Sequence, residues 1–503
     1  PEPSFLVQLL PYLIPIALLV VLWYFMMRQS QGGGKAMNFG KSRAKMTMGE
    51  NTNRSEPFFD EDVDLVKLQF TDIFGQCKMV QMTRRQAEKA MKEGYAINRF
   101  ALGGLQKAGI EGAPAPEYLT DQSESVELYL KPDASTYQVL PWDSGQENVA
   151  RVICQVCNAD GTPSWTDSRH ILQETVKRAE KMGLDFDFDF QCEFYLFHTD
   201  DDGRPTTVTH EVAGYYDAGP IDLAEGVRRD MILSLEEAGF AVESTHHGLT
   251  AGQHSFVLPA RRGIEAADYL QTFKAAVKRI AKRHGLHATF MPKPKAGTAG
   301  SGMHINISLF QNGKNIFSDP EAEDGLSQEA KWFMGGIMAH VKGMCAVTNP
   351  LVNSYKRLTS GCDAPRDIIW TTKNHNTLLR IPFMRGEDTR IELRFPDPSA
   401  NAYLTIALCM AAGLDGIAKH LDPGAESARL FASRTEAEKA AAGIDHLPDT
   451  LREAVAFMEE DSFVKMVLGQ EFVDLYVEAK KAEWNEYMSQ VSEWEVDKYL
   501  YRT

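Results

Sequence analysis

The fold is indicated most clearly by Phe290–Leu309, FMPKPKAGTAGSGMHINISL, where a segment rich in glycine and proline precedes an apolar run. The run from His304 to Leu309 predicts a β-strand. No helix follows Gly300 and Gly302 directly, so these glycines do not form a strand-to-helix phosphate loop. Considered alone, His304 is best interpreted as a hydrogen-bonded core histidine.

On both sides of this stretch, predicted helices alternate with predicted strands, which indicates a large α+β domain over residues 158–503. The last 60 residues are predicted to be helical, with aromatic side chains such as Trp494 as packing anchors. The predicted helices are Ser168–Met182, Leu223–Ala238 and Ala266–His284, and the further strands are Phe190–Phe197 and Arg390–Phe395.

A second, smaller domain is predicted before it, over residues 58–157. The pattern there indicates short strands around one short helix, and the chain is too long for a single ordinary core. The predicted strands are 63–70, 78–81, 126–130, 137–140 and 150–156, and the predicted helix is 86–93.

Composition and charge restrict the partners of the chain. Its 503 residues carry a formal net charge of −16, which repels phosphate backbones, so we expect no nucleic acid partner. Seven scattered cysteines suit a reducing cytosol. Cys154 and Cys157 are spaced CxxC, but on a predicted strand their thiols point to opposite faces and could not share a metal.

The N-terminal segment differs from the rest of the chain. Residues 5–27 are nearly all apolar and long enough to span a bilayer as one helix. Residues 1–46 carry one acidic and five basic side chains, and all the basic ones follow the span. The positive-inside rule then predicts a membrane anchor, with a basic linker to residue 47 and a body facing the cytoplasm.

The segment MMRQSQGGGKAMNFGKSRAKM resembles the membrane segment and linker of bacterial ATP-dependent zinc metalloproteases. The resemblance covers about residues 1–46, and neither GxxxxGK[ST] nor HExxH occurs in the chain. A natural fusion, a mis-joined reading frame and an engineered chimera all remain open.

From about Phe58 onward, the chain resembles type I glutamine synthetases. The resemblance implies an N-terminal β-grasp domain, a catalytic domain, and active sites between neighbouring subunits of double hexameric rings. Seven segments carry it, in the family's order: LVKLQFTDIFGQCK, LPWDSGQENVARVICQV, GYYDAGPIDLAEGVRRDMILSLEEAGF, FMPKPKAGTAGSGMHINISL, NPLVNSYKRL, RIELRFPDPSANAYL and EWNEYMSQVSEWEVDKYL.

The reaction implied by the resemblance joins glutamate to ammonia at the expense of ATP. Such phosphoryl transfer needs Mg²⁺ to neutralise phosphate charge and arginines to clamp phosphate and carboxylate. The family holds its metals with five carboxylates and one histidine. Glu193, His304 and Glu392 match three of these six ligands.

The other three metal positions carry non-acidic residues: Gln191, Gly248 and Ser255. The metal site that keeps only Glu193 is expected to be lost. The site with His304, Glu392 and the amide of Gln191 is expected to bind Mg²⁺ weakly, because Mg²⁺ can be held by one or two carboxylates plus substrate phosphates.

The positions implied for ammonia are also altered, whereas the anion-binding positions are kept. Ala101 replaces an aspartate, and Asp363 replaces the flap glutamate as the candidate catalytic residue. Ala299, Asn306 and His375 are further departures. The resemblance assigns Arg357, Arg380, Arg394 and Gly300 to glutamate binding, and Arg390 and Ser308 to nucleotide binding.

These residues leave three hypotheses. The chain is a catalytically impaired homologue that still binds nucleotide or glutamate, or an active ligase that joins glutamate to another amine. Alternatively, it is an interaction module, either a membrane-tethered ring or a subunit that co-assembles with an active synthetase, which is compatible with the first hypothesis. Loss of the metal carboxylates favours impairment, since any such ligase must still activate its substrate with ATP.

Overall fold

The computed structural model describes residues 58–103, 127–145, 147–359, 364–373, 376–427 and 435–502. The predicted membrane segment 5–27, the linker to residue 47 and the metalloprotease resemblance lie outside these residues. From residue 57 onward the chain forms one compact unit.

The N-terminal part is a mixed sheet with one helix packed on a single face. In β1 the side chains of Val66, Leu68 and Phe70 alternate into a core that Ala87 and Ala90 of helix α1 complete. Strand β1 pairs antiparallel with β2 and parallel with β6, in the order β2-β1-β6-β4-β3, with β5 beside β6. This arrangement agrees with the predicted β-grasp. Its elements are β1 (Leu65–Thr71), β2 (Cys77–Thr83), α1 (Arg84–Glu93), β3 (Tyr95–Asn98), β4 (Glu127–Pro132), β5 (Gln138–Val139) and β6 (Val149–Cys157).

The second sheet has ten strands in the described residues and is organised around the long strand β7 (Leu184–Thr199). Its path is β14-β15-β16-β12-β7-β10-β9, and β8, β11 and β13 pair at its margins. The remaining strands are β8 (Pro205–Thr209), β9 (Ser244–His247), β10 (Gln253–Arg262), β11 (Leu286–Thr289), β12 (Met303–Gln311), β13 (Lys314–Asn315), β14 (Trp370–Thr371), β15 (Leu379–Arg380) and β16 (Ile391–Leu393).

Helices cover the apolar side of this sheet and extend to the C-terminus. Helix α7 is the one helix among the described residues that is long and apolar enough to span a membrane, and 67% of it is buried inside the structure. The helices are α2 (Ser168–Lys181), α3 (Glu225–Glu237), α4 (Gly263–Arg283), α5 (Gln328–Thr348), α6 (Val352–Leu358), α7 (Ala402–Lys419), α8 (Glu436–Ala441), α9 (Leu451–Glu460), α10 (Ser462–Leu468), α11 (Gln470–Met488) and α12 (Glu493–Tyr499).

Two separate hydrophobic cores accompany the two sheets. The smaller lies within residues 59–156, and the larger draws mainly on residues 171–477. The cores therefore follow the predicted organisation, while a domain boundary at 157/158 stays a prediction. Cys154 and Cys157 both lie in β6 as buried free thiols.

Candidate active site

Strand β7 places apolar and polar side chains on opposite faces. Phe188, Phe190 and Cys192 are buried toward the helices, so the intervening Asp189, Gln191 and Glu193 share the other face. This strict alternation is the local signal that positions the site. It begins at Leu184, earlier than the predicted start at Phe190, because the aspartates at 185, 187 and 189 alternate with core residues.

Neighbouring strands bring the other candidate residues beside β7. His304 pairs with Gln191, and Ser255 pairs with Glu193. Glu392 of β16 lies beyond β12, opposite Asn306. We call the assembled set the arginine–carboxylate cluster: Asp189, Gln191, Glu193, Ser255, His304, Asn306, Arg357, Arg380, Arg390, Glu392 and Arg394.

Glu392 is held by two arginines. Its Oε1 accepts a hydrogen bond from Arg394 Nη1 at 2.7 Å, and its Oε2 accepts one from Arg380 Nη1 at 2.7 Å. The Glu392 and Arg394 side chains are each only 4% exposed. The carboxylate is therefore already neutralised by guanidinium groups, and a metal ion there would compete with them.

One convergent set of metal-ligand atoms surrounds His304. Its Nδ1 lies 3.3 Å from Gln191 Oε1 and 3.3 Å from Glu392 Oε1, with Arg394 Nη1 at 3.4 Å. An imidazole nitrogen with two oxygens fits one divalent ion completed by water and substrate oxygens. An ion bound there would supply positive charge to neutralise phosphate oxygens.

The second predicted metal site keeps only Glu193 of its three predicted acidic ligands. Glu193 Oε2 accepts a hydrogen bond from the Gly302 amide at 2.7 Å. Gln191 Nε2 donates to Ser255 Oγ at 3.1 Å, so a neutral pair occupies two predicted carboxylate positions. A Cβ on Gly248 would lie 2.6 Å from Gln253 Cγ, which leaves no room for a side chain without movement. The described residues do not fit a second ion here.

The structure assigns Arg357 a contact that the sequence did not indicate. Its guanidinium donates to the carbonyl oxygens of Arg394 at 2.9 Å and Phe395 at 2.9 Å, and the residue is 2% exposed. It therefore anchors the end of β16. Gly300 packs against it, because a Cβ at that position would lie 2.7 Å from Arg357 Cγ.

The predicted nucleotide residues lie at the other end of the cluster. Ser308 Oγ donates to Thr389 O at 3.0 Å, and Arg390 Nε lies 3.9 Å from Asp189 Oδ2. Asn306 Nδ2 donates to Asp189 Oδ1 at 2.6 Å. Burial raises the pKa of Asp189 to about 6, although Arg390 and Asn306 act in the opposite direction. Asp189 was missed from the sequence, although the β7 alternation marks it.

The charge of the cluster follows from these residues. Four arginines face three carboxylates, which leaves one positive charge in excess when His304 is neutral. Carboxylates at positions 191, 248 and 255 would make the same set net negative. The replacements therefore change a cluster that would need cations to accept polyphosphate into one that attracts anions directly.

The residues implied for ammonia are only partly described. Ala101 ends a short 3₁₀ turn over Arg99–Ala101 in the N-terminal part. Ala299 is buried, and its carbonyl oxygen accepts a hydrogen bond from the Tyr195 hydroxyl at 2.6 Å. Asp363, the candidate catalytic residue, and His375 lie outside the described residues.

A buried group that sequence reasoning missed consists of Glu211, His247 and His254, spaced closely enough to hold a metal ion. His247 Nε2 lies 2.9 Å from Glu211 Oε1. Arg228 Nη1 lies 3.0 Å from His254 Nδ1, and a guanidinium can only donate. The proton of His254 is therefore on Nε2, so that atom is a donor and not a metal ligand.

Comparisons with known proteins agree with this geometry. Residues 165–499 match the family described as glutamine synthetase, catalytic domain. A glutamine synthetase of Clostridium saccharobutylicum is 45% identical over 442 residues, covering 88% of this chain and 96% of the relative. One of Staphylococcus aureus (strain MW2) is 41% identical over 443 residues, with the same coverage.

Solved structures show the same fold. One titled "GmaS/ADP complex-Conformation 1" is similar with a TM-score of 0.76 at 30% identity, covering 87% of this chain and 97% of that one. A second, "Apo GmaS without ligand", has a TM-score of 0.75 at 30% identity and the same coverage. The chain therefore belongs to the glutamine synthetase family.

Proposed function

We propose that the chain binds glutamate and an adenine nucleotide at the arginine–carboxylate cluster, and that its incomplete metal site limits ligase turnover. The observation that carries this proposal is the pairing of both Glu392 oxygens with arginines. These guanidinium groups supply positive charge without a metal, but they do not replace ions that contact the transferred phosphate.

Within this proposal each candidate residue has one role. Arg380 and Arg394 attract the glutamate carboxylate. Arg357, with Gly300 packed against it, holds the backbone at Arg394 in place. Arg390 and Ser308 contact the nucleotide, and Asp363 stays the candidate catalytic residue for the amine step. His304, Glu392 and Gln191 are the residues proposed to hold a single weakly bound Mg²⁺. Glu193 alone supplies too little negative charge for a second ion.

The second candidate is an active glutamate–amine ligase with altered amine specificity. The names of the relatives favour it, because proteins 41–45% identical over nearly their whole length are named glutamine synthetases. Ala101 and Asp363 change the positions implied for ammonia, as a different amine would require. The three lost carboxylates oppose this candidate, because ATP activation is needed whichever amine is used.

Calorimetry with ADP tests the binding proposal. We expect measurable binding in EDTA, strengthened only modestly by Mg²⁺, and weakened in Arg390→Gln. Absence of any binding in EDTA, with strong binding in Mg²⁺, would contradict it. Phosphate release from ATP and glutamate with a panel of small primary amines then separates the candidates: robust turnover with one amine supports the active ligase.

We also propose a cytoplasmic homo-oligomer, a double hexameric ring in the family's manner, or co-assembly with an active synthetase. Exposed apolar side chains near the C-terminus support an interface, since Trp494 is 62% and Tyr501 is 93% exposed in the single chain. Contact with a membrane is proposed only through residues 5–27.

A further inference from the structure

A cavity of about 660 Å³ lies between the N-terminal sheet and helix α4. Its walls include Lys67 of β1, Cys77 of β2 and Arg151 of β6 on one side, and Lys274 and Lys278 of α4 on the other. None of its lining residues belongs to the arginine–carboxylate cluster. We call it the basic cavity.

The charge of this lining is unusual for an acidic chain. Six lysine or arginine side chains line the cavity, and Asp143 is the single acidic residue among them. Asp143 is already engaged, 2.5 Å from Lys67 Nζ and 2.9 Å from Arg279 Nε. The basic members are Lys67, Arg151, Lys274, Lys278, Arg279 and Lys282.

Two of the cations are buried without a carboxylate in contact among the described residues. Arg151 is 4% exposed, donates from Nη2 to Thr272 Oγ1 at 2.9 Å, and has no hydrogen-bond partner at its buried Nε. Lys274 is 9% exposed and donates to Pro398 O at 2.7 Å. The nearby Asp268 is already bound by Arg169 at 2.8 Å. Burying such charges is costly unless an anion compensates them.

The helix adds accessible cations to the buried ones. Lys274, Lys278 and Lys282 are four residues apart, so they project from one face of α4, and like charges at this spacing repel. Lys278 and Lys282 are exposed, and the Lys278 amino group lies 5.6 Å from the centre of the Phe290 ring, which also lines the cavity. A bound anion would offset both the repulsion along α4 and the burial of Arg151.

We propose that the basic cavity binds a small anion with at least two negative charges, carried by phosphate or carboxylate groups. Its volume admits a metabolite-sized ligand but no folded macromolecule. Because β1, β2 and β6 form one wall and α4 the other, the ligand bridges the two hydrophobic cores. The site is separate from the arginine–carboxylate cluster and does not depend on the function proposed there.

Cys77 provides a reporter inside the cavity, since it is the exposed thiol among the described cysteines. The experiment measures alkylation of Cys77 in the full chain by mass spectrometry, with increasing pyrophosphate or citrate and NaCl matching the ionic strength. We expect saturable protection. Protection by pyrophosphate alone identifies a phosphate ligand, and protection by citrate alone a carboxylate ligand.

Lys278→Gln is the diagnostic variant, and Lys181→Gln, an exposed lysine on α2, is the matched control. We expect the half-protecting concentration to rise about tenfold in Lys278→Gln, as for one lost hydrogen bond to a charged group, and to stay unchanged in Lys181→Gln. Lys282→Gln serves in its place if Lys278→Gln does not fold.

Arg380→Gln distinguishes this site from the arginine–carboxylate cluster. It should leave protection of Cys77 intact while weakening glutamate binding in calorimetry. Protection that is absent, that is unchanged in Lys278→Gln, or that disappears in Arg380→Gln would overturn the proposal. The last result would mean that the anion acts from the cluster.

Discussion

Arg394 Nη1 lies 2.7 Å from Glu392 Oε1 within a buried part of the ten-stranded sheet. Arg380 Nη1 donates a hydrogen bond to the other oxygen of the same carboxylate. A glutamate that the family resemblance assigns to a metal is therefore the centre of an arginine pair. The arginines of this chain thus supply positive charge directly at the site.

Substitution of Glu392 tests this relationship. Glu392→Gln leaves Arg394 buried without its carboxylate, so we expect the free energy of unfolding to fall by about 3 kcal/mol in urea denaturation. We also expect tighter glutamate binding in EDTA, because the guanidinium groups of Arg380 and Arg394 become available. An unchanged denaturation midpoint together with weaker glutamate binding would show that the pair does not hold the site together.

Restoring acidic ligands tests the position of the metal site. Gly248 has no space for a side chain, so the first variant is Gln191→Glu with Ser255→Glu. We expect at least about tenfold tighter Mg²⁺ binding in calorimetry, since even changes outside the ligand shell commonly alter metal affinity by 10–100-fold. ADP binding in EDTA should weaken, because the cluster becomes net negative.

Gln191→Leu with Ser255→Ala is the matched control, because it removes the neutral hydrogen bond without adding charge. It should not increase Mg²⁺ affinity. If the acidic pair also leaves Mg²⁺ affinity unchanged, then positions 191 and 255 do not face a metal.

Anion binding in the basic cavity should depend on pH. Burial lowers the pKa of Lys274 to about 8, below its ordinary value, with a further contribution from Lys278 and opposing ones from Cys192, Asp397 and Cys77. The folded chain therefore loses this charge as pH rises through 8, while an unfolded chain would keep it to about pH 10.

We accordingly expect sulfate, whose charge is constant over this range, to bind more weakly at pH 9 than at pH 7. Calorimetry on the Arg380→Gln variant measures this with weakened binding at the cluster. A Lys274→Met variant should bind weakly at both pH values. An affinity that rises with pH in the parent would contradict the assignment of Lys274.

Assembly is expected to survive the changes in the active site. The Trp494, Leu500 and Tyr501 side chains are exposed in the single chain, so we expect a neighbouring subunit to bury them. This contact does not involve the metal ligands. Sedimentation of residues 48–503 should show a large oligomer, and Trp494→Asp should shift it toward smaller species. A monomer in the parent protein would exclude the ring, and an insoluble body would show that residues 1–47 are needed for folding.

Periodic patterns made much of this structure predictable. The helix Ser168–Lys181 begins at its predicted residue, because Asp167 caps its first turn. It ends one residue before its predicted end, because Gly183 follows with a positive φ. Strand β7 was predicted too short, since aspartate is uncommon in strands and Asp185 to Asp189 obscured a regular alternation. Here burial of the phenylalanines outweighs the low strand propensity of aspartate.

The contacts within the site were less predictable. The motif residues Glu392 and Arg394 could be placed side by side from RIELRF, but the sequence gives no sign that Arg380 reaches the same carboxylate from β15. Likewise, Arg357 was predicted to bind substrate, whereas its hydrogen bonds to the carbonyls at 394 and 395 depend on how α6 packs against β16. Such relationships arise from tertiary structure.

Whether the incomplete metal site limits turnover is measured by ammonia-dependent phosphate release from ATP and glutamate in saturating Mg²⁺. It is measured beside the Clostridium saccharobutylicum relative, which is 45% identical. The incomplete metal site predicts release near the background measured without ammonia. This is at least about 100-fold below the relative, because both predicted metal sites have lost ligands that would contact the ion. Turnover comparable to that of the relative would contradict a limiting metal site and establish an active ligase.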